Sequence, residues 1–290
     1  VHAVHRARRR TKGTAMTEQK ETRKFTWNEI KKMGMEVHYQ PIYDIKARRI
    51  IALEALFRVR DGQGGYYNPE LIVKDAEKDG WIYALDLWTI DQTCTYMREF
   101  MKRGIKRVNV NLSPVSFVSH RLARKITHLL DKHEIPHSMI WLELTEFGAD
   151  VPSEKIKQAM EELKAEGFMF SMDDFGKGES NFLRLLDYDF DILKVDKEFV
   201  WSIEDKQKAK AALKCVIDFT KDQNMMVTAE GVETQAHVEF LTRAGVNNLQ
   251  GYLISRPLDP KTCMEFLEKY QHVDILQLKK EQHIKSTEEK

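Results

Sequence analysis

The sequence predicts an α/β protein, a (β/α)8 TIM-like barrel with one antiparallel strand. Two observations predict the barrel: eight short apolar runs recur along the chain, and the later ones are separated by amphipathic segments of helix length. A third predicts the reversed strand. Only a short turn around Lys46–Ala47 separates the first two runs, too little chain for a crossover helix, so these two form an antiparallel hairpin. A doubly wound open sheet is the alternative, and no internal repeat is evident. The 290 residues suit one barrel with ragged ends as well as two small domains.

Taken in order, residues 1–34 read as a basic linker followed by a short helix around Trp27–Met33. Strands are expected near 37–43, 49–59, 107–113, 139–145, 168–173, 191–196, 225–230 and 248–253. Between the fourth and fifth, a helix over Ser153–Glu166 puts Ile156, Ala159, Met160 and Leu163 on one face, with Ser153 as its cap and Gly167 as its stop. Another, from about Asp205 to Asp222, gathers Ala209, Leu213, Val216 and Ile217 on one side. Residues 271–290 are Lys/Glu-rich and read as a polar tail.

Composition narrows the class. Apolar residues make up 42%, enough for a sizeable core. No run approaches the ~18 apolar residues of a membrane-spanning helix, and the basic start is followed by no apolar stretch of a signal peptide. A cytoplasmic location is therefore expected for this portion, with any membrane attachment made through a part ahead of Val1. The first seventeen residues carry Arg6, Arg8, Arg9, Arg10 and Lys12 and no acid; with a total of +1, the remainder is left at −4. A flexible solvated arm explains the basic stretch, and the acidic remainder argues against a body that binds nucleic acid. Cys94, Cys215 and Cys263 lie far apart on predicted helices and no CxxC occurs, which reads as reduced thiols packed in the core. The ten histidines show no metal-binding spacing.

The acids are the informative feature. Side chains alternate across a strand, so Ile50, Ala52, Glu54 and Leu56 share a face. So do Asn109, Asn111 and Ser113; Trp141, Glu143 and Thr145; Met169, Ser171 and Asp173; Ile192, Lys194 and Asp196; and Met226, Thr228 and Glu230. Five consecutive parallel segments thus end in Asn, Asp, Glu or Lys at the C-terminal edge, where barrels build their sites. Glu54, Glu143, Asp173, Asp174, Asp196 and Glu230 would crowd one mouth beside one lysine. Two carboxylates at 4 Å repel by roughly 4 kcal/mol at an effective dielectric near 20. Such a cluster takes up protons or binds cations. Oxygen donors, one Asn carbonyl and no Cys or His point to Mg²⁺ or Mn²⁺, and the adjacent Asp-Asp pair suits two ions.

These residues fall in a series of ordered stretches: Tyr39-Gln40-Pro41-Ile42, Glu54-Ala55-Leu56-Phe57-Arg58, Asn111-Leu112-Ser113 and Glu143-Leu144-Thr145-Glu146, then Asp173-Asp174-Phe175-Gly176, Lys194-Val195-Asp196, Ala229-Glu230-Gly231-Val232-Glu233 and Gln250-Gly251-Tyr252. Their order and spacing over residues 35–270 resemble the EAL-domain phosphodiesterases, bacterial enzymes that cleave cyclic di-GMP. The resemblance implies a barrel with one antiparallel strand, hydrolysis to linear pGpG, two Mg²⁺ or Mn²⁺ ions, a homodimer, and a sensor or signalling domain ahead of this chain. It implies that Glu54, Asn111, Glu143 and Asp173 hold one metal and that Asp173, Asp174 and Glu230 reach the second. Lys194 resembles the lysine that orients or deprotonates the attacking water, with Asp196 beside it and Gln250 bonding water or substrate. Arg58 resembles a phosphate clamp. Gln40, Glu233 and Tyr252 resemble substrate contacts, and Glu146 a loop anchor.

One stretch departs from the family. After Asp-Asp-Phe-Gly the family continues Thr-Gly-Tyr-Ser-Ser-Leu; here Lys177-Gly178-Glu179-Ser180-Asn181-Phe182 follows. Lys177 brings a cation close to the expected metals, so the alternative is a weakly catalytic cyclic di-GMP receptor. A Schiff-base aldolase built on Lys194 is disfavoured, because surrounding carboxylates stabilise its ammonium.

Overall fold

The structure is a computed structural model; it describes residues 23–144, 151–177, 182 and 184–275. The expectations for Glu146, for Gly178–Asn181 and for most of residues 1–34 and 271–290 lie outside these. The described chain forms two compact units, the first ending at Glu36 and resuming over Phe57–Leu85, the second comprising Val37–Leu56 and the chain from Asp86 onward.

In the first unit, α1 (Trp27–Met33) starts where the Glu29 carboxylate accepts a hydrogen bond from the Thr26 amide at 3.0 Å. Helix α2 (Pro69–Lys78) starts at Asn68, whose side chain accepts from the Glu70 amide, with Pro69 fitting the first turn. Phe25, Ile30, Val59 and Ile72 form a small buried core, with Trp27, Tyr67 and Trp81 packed around it.

Most of the barrel lies in the second unit. Strands β1 (Met35–Asp44), β2 (Arg49–Val59), β3 (Arg107–Asn111), β4 (Ile140–Leu144), β5 (Met169–Phe175), β6 (Ile192–Val195), β7 (Met226–Ala229) and β8 (Asn248–Gln250) close in chain order. β1 meets β8 antiparallel, while β2 through β8 pair in parallel. The closed barrel therefore replaces the open-sheet alternative. Between the strands run α3 (Ile82–Lys102), α4 (Leu122–His133), α5 (Ser153–Ala165), α6 (Arg184–Asp187), α7 (Lys197–Asp205), α8 (Gln207–Asp222) and α9 (Gln235–Ala244), with α10 (Pro260–Tyr270) after β8.

Alternation sorts each strand into two sets. Val108, Val110, Leu142, Leu144, Phe170, Met172, Leu193, Val195, Val227 and Leu249 are all buried and apolar. The intervening set contains Glu54, Asn109, Glu143, Ser171, Asp173, Lys194, Thr228 and Asn248, also buried. The ion pairs described below join members of this second set across the barrel, which places them on its inner face.

Local details differ from the sequence reading. β3 stops at Asn111 because Ser113 turns to accept from the Val115 amide and opens a 3-10 turn. Ser153 does not cap α5: it is the first helical residue, Pro152 stands at the cap, and no side chain bonds the end. The helix expected from Asp205 to Asp222 is the second of two, since Lys206 in extended conformation separates α7 from α8. Cys94 and Cys263 are buried as expected, but Cys215 is exposed on α8, so it is not a core residue. β8 ends at Gln250, leaving Tyr252 in a turn and about half exposed. That turn needs glycine: a Cβ on Gly251 would lie 2.2 Å from the Val232 backbone. The close approach joins the end of β8 to the loop after β7, with the Val232 amide donating to the Gln250 carbonyl at 3.0 Å.

Candidate metal centre

Lys194 sits at the centre of the site. It projects from β6, is fully buried, and reaches a carboxylate from each of four places. Its Nζ lies 2.8 Å from Glu230 just past β7, 2.9 Å from Glu143 on β4, 3.1 Å from Asp173 on β5 and 3.4 Å from Glu54 on β2. Four carboxylates face one ammonium, so full ionisation would leave three negative charges uncompensated.

The charges settle unevenly. Burial pushes the Lys194 ammonium down, but the four carboxylates more than offset it and hold it well above the usual lysine range. Burial also pushes Glu54 up, yet Lys194 together with hydrogen bonds from Gln250 and Asn111 brings it below its ordinary value. Glu143 and Asp173 go the other way: burial raises both, the attraction of Lys194 is not enough, and neighbouring carboxylates add to the rise. Burial carries Glu230 up to about 8 for the same reason. With Lys194 as their shared cation, ionisation is favoured at Glu54 and opposed at Glu143, Asp173 and Glu230.

Amide side chains fix the carboxylates. Asn111 Nδ2 donates to Glu54 Oε1 at 3.1 Å, and Asn109 Nδ2 donates to Glu143 Oε1 at 2.7 Å. Gln250 Nε2 donates to Glu54 Oε2 and, at 3.0 Å, to Gln40 Oε1; Gln40 in turn donates to the Ser255 carbonyl at 3.1 Å. The interior edge from β1 through β8 to β2 is therefore tied together. Asn109 carries no role in the sequence reading. The signal was available, since alternation puts it on the face of Asn111.

The remaining acids do not join the ring. Asp174 adopts a left-handed backbone (φ 58°), unfavourable for a residue with a Cβ, and its amide donates to Asp173 Oδ1 at 2.9 Å. Its side chain is 31% exposed and pairs with Lys177 at 3.4 Å. Asp196 is buried but caps α7, accepting from the Glu198 amide at 2.7 Å. Glu233 is exposed in the loop before α9. Arg58 belongs to the first unit, where its Nη1 donates to the Phe57 carbonyl at 2.8 Å.

The donor set fits a hard divalent cation. Glu54, Glu143 and Asp173 each offer a carboxylate oxygen, all within 4.8 Å of one another, and Asn111 adds an amide beside them. The raised carboxyls would release protons as a metal displaced them.

Comparison with known proteins gives a consistent picture. The profile of the EAL domain family matches residues 27–257. The bifunctional diguanylate cyclase/cyclic di-GMP phosphodiesterase MucR of Pseudomonas aeruginosa is 33% identical over 231 residues, 79% of this chain and 34% of that protein. The probable cyclic di-GMP phosphodiesterase PdeN of Escherichia coli is 31% identical over 243 residues, 83% of this chain and 46% of its own length. This chain thus spans between a third and a half of these relatives. The solved structure of the PaMucR phosphodiesterase in complex with c-di-GMP superposes with a TM-score of 0.73 at 32% identity, over 80% of this chain and 95% of that one. No helix among the described residues is long and apolar enough to cross a membrane.

Proposed function

This chain belongs to the EAL domain family, and we propose that it hydrolyses cyclic di-GMP to linear pGpG with Mg²⁺ or Mn²⁺. The observation that carries the reading is the ring of four carboxylates around buried Lys194. In this reading Glu54, Asn111, Glu143 and Asp173 hold one ion, and Asp173, Asp174 and Glu230 reach a second. The bound ions supply a water of lowered pKa and neutralise charge at phosphorus.

The chain's own residues do the rest. Lys194, kept protonated by its carboxylates, donates a hydrogen bond that orients the attacking water, and serves less well as a base. Gln250, already bonded to Glu54 and Gln40, holds water or a substrate oxygen at the opposite edge. Gln40, Glu233 and Tyr252 contact the dinucleotide, and Asp196 supports the lysine through its strand end. The working form is a homodimer, with a signalling domain ahead of this portion.

One observation favours a second reading. Lys177 already pairs with Asp174, which suits a receptor that binds cyclic di-GMP and turns it over poorly. Incubation with cyclic di-GMP and Mg²⁺ or Mn²⁺, followed by chromatography for pGpG, separates the two. Product establishes the enzyme; tight binding without product establishes the receptor.

A further inference from the structure

Below the carboxylate ring, the barrel interior is unusually polar. Arg107, at the start of β3, is 6% exposed, yet its Nε and Nη2 have no hydrogen-bond partner among the described residues. Among those residues Asn109 Oδ1 is likewise unpartnered at 1% exposure, and Ser171 Oγ and Asn248 Oδ1 at 0%. Buried polar groups in folded proteins are almost always bonded to protein or to ordered water, so four such side chains in one barrel call for an occupant.

Strand register places them together. Arg107 and Asn109 pair with Ala52 and Glu54 of β2, respectively two steps and one step below Asn111 on the same face. Ser171 pairs with Glu143, the residue that Asn109 bonds. Asn248 pairs with Thr228 on one side and Asp44 on the other, and Thr228 pairs with Lys194. The Arg107 guanidinium lies 4.6 Å from the centre of the Trp141 ring, which covers one face and leaves its edge open to hydrogen bonding.

The chemistry of the orphans selects the occupant. Asn109 turns its Nδ2 to Glu143, which leaves its Oδ1 as a free acceptor. Arg107 offers only donors, Asn248 Oδ1 only acceptance, and Ser171 can do both. An anion would meet the amide oxygens and the nearby Glu143. A cation would meet the guanidinium. Water accepts from Arg107 and donates to the amide oxygens, and such sites hold one with two to four polar partners.

We infer that the barrel axis beneath the carboxylate ring is a water-binding well, floored by Arg107 and lined by Asn109, Ser171 and Asn248. Water there joins the guanidinium to Asn109, and through Asn109 Nδ2 to Glu143. The inference does not rest on the proposed reaction.

Two measurements test it. A crystal structure of the full chain at about 1.5 Å is expected to show ordered water within hydrogen-bond distance of both an Arg107 nitrogen and Asn109 Oδ1. An interior with no water density, or Arg107 paired directly to a protein oxygen there, overturns the well. The conservative variant Ser171→Ala provides an energetic check, because losing a hydrated hydroxyl and losing an unpaired one have opposite signs. Melting is expected about 2–4 °C lower than for the unmodified chain. An unchanged or raised melting temperature overturns the assignment of water to Ser171.

Discussion

Asp173 and Asp174 are neighbours in sequence and opposites in setting. Asp173 belongs to the buried ring around Lys194, where two partners have no exposure at all. Asp174 stands at the rim, 31% exposed, with Lys177 as its own cation at 3.4 Å. The same pair of charges at 4 Å is worth about 1 kcal/mol in water and about 4 kcal/mol at an effective dielectric of 20. Burial therefore makes the ring one interdependent unit, while the rim pair stays weak and exchangeable. Asp173 sits where a cation is held strongly, and Asp174 already has Lys177 as its partner.

The largest expected effect is on the ring. Glu54→Ala removes the carboxylate that stays ionised and that Asn111 and Gln250 both grip. Hydrolysis should fall by about a thousandfold or more, a loss of about 4 kcal/mol of charge stabilisation, with the circular dichroism spectrum retained. Turnover within tenfold of the unmodified chain would remove Glu54 from the metal centre.

Lys194→Met tests the interdependence directly. It leaves four carboxylates around an apolar side chain, and breaking a buried charge group of this kind costs about 3–5 kcal/mol. A divalent ion can replace the lost cation. Added Mn²⁺ should therefore raise the melting temperature of the variant more than that of the unmodified chain. Equal stabilisation of both would show that lysine and metal do not share the same carboxylates.

How far the sequence reveals this arrangement depends on the residue. Glu54, Glu143, Asp173, Lys194 and Glu230 were legible because alternation puts each on the polar face of an otherwise apolar strand. Barrel closure then brings Glu54 and Glu230, 176 positions apart, to one lysine, which no local pattern encodes. Asp174 and Asp196 looked equivalent to the others in one dimension. A left-handed backbone at one and a helix cap at the other turn them to different tasks. Ser153 reads as a cap in the sequence because Ser and Pro both suit a helix start, and the geometry places Pro152 there instead. Arg107 carried a weaker signal: alternation puts it on the face of Asn109 and Asn111, but a basic residue at a strand start reads as a surface position until the barrel closes over it.

At the rim the expected effect is smaller. Lys177→Thr frees Asp174 from its cation, and exposed pairs of this kind are worth about 0.2–1 kcal/mol. Affinity for the second equivalent of Mn²⁺ in calorimetry should rise no more than about fivefold, with the first equivalent unaffected. A change in the first would mean that rim and ring are coupled. No change in either would clear Lys177 of any hold on Asp174.

Asp259 supplies another modest effect and the opposite case to the ring. It caps α10, where its Oδ1 accepts from the Lys261 and Thr262 amides at 3.1 and 3.2 Å. Burial pushes this carboxyl up, but the hydrogen bonds from Thr262 and Lys261 outweigh it and the net shift is downward. Here the partners are fixed N–H and O–H groups and no other carboxylate competes, so ionisation is favoured where the ring resists it. A lowered folded pKa means that the stabilisation is complete above the unfolded value, about 3.9, and is lost as pH falls through the folded one. Asp259→Ala should cost about 1 kcal/mol in urea unfolding at pH 7, and the same at pH 5. A difference between the two proteins that has already closed at pH 5 would show that the cap is not the source. Because Asp259 shares no partner with the ring, its cost should add to that of Glu54→Ala within about 0.5 kcal/mol, whereas Glu54→Ala and Lys194→Met should not add.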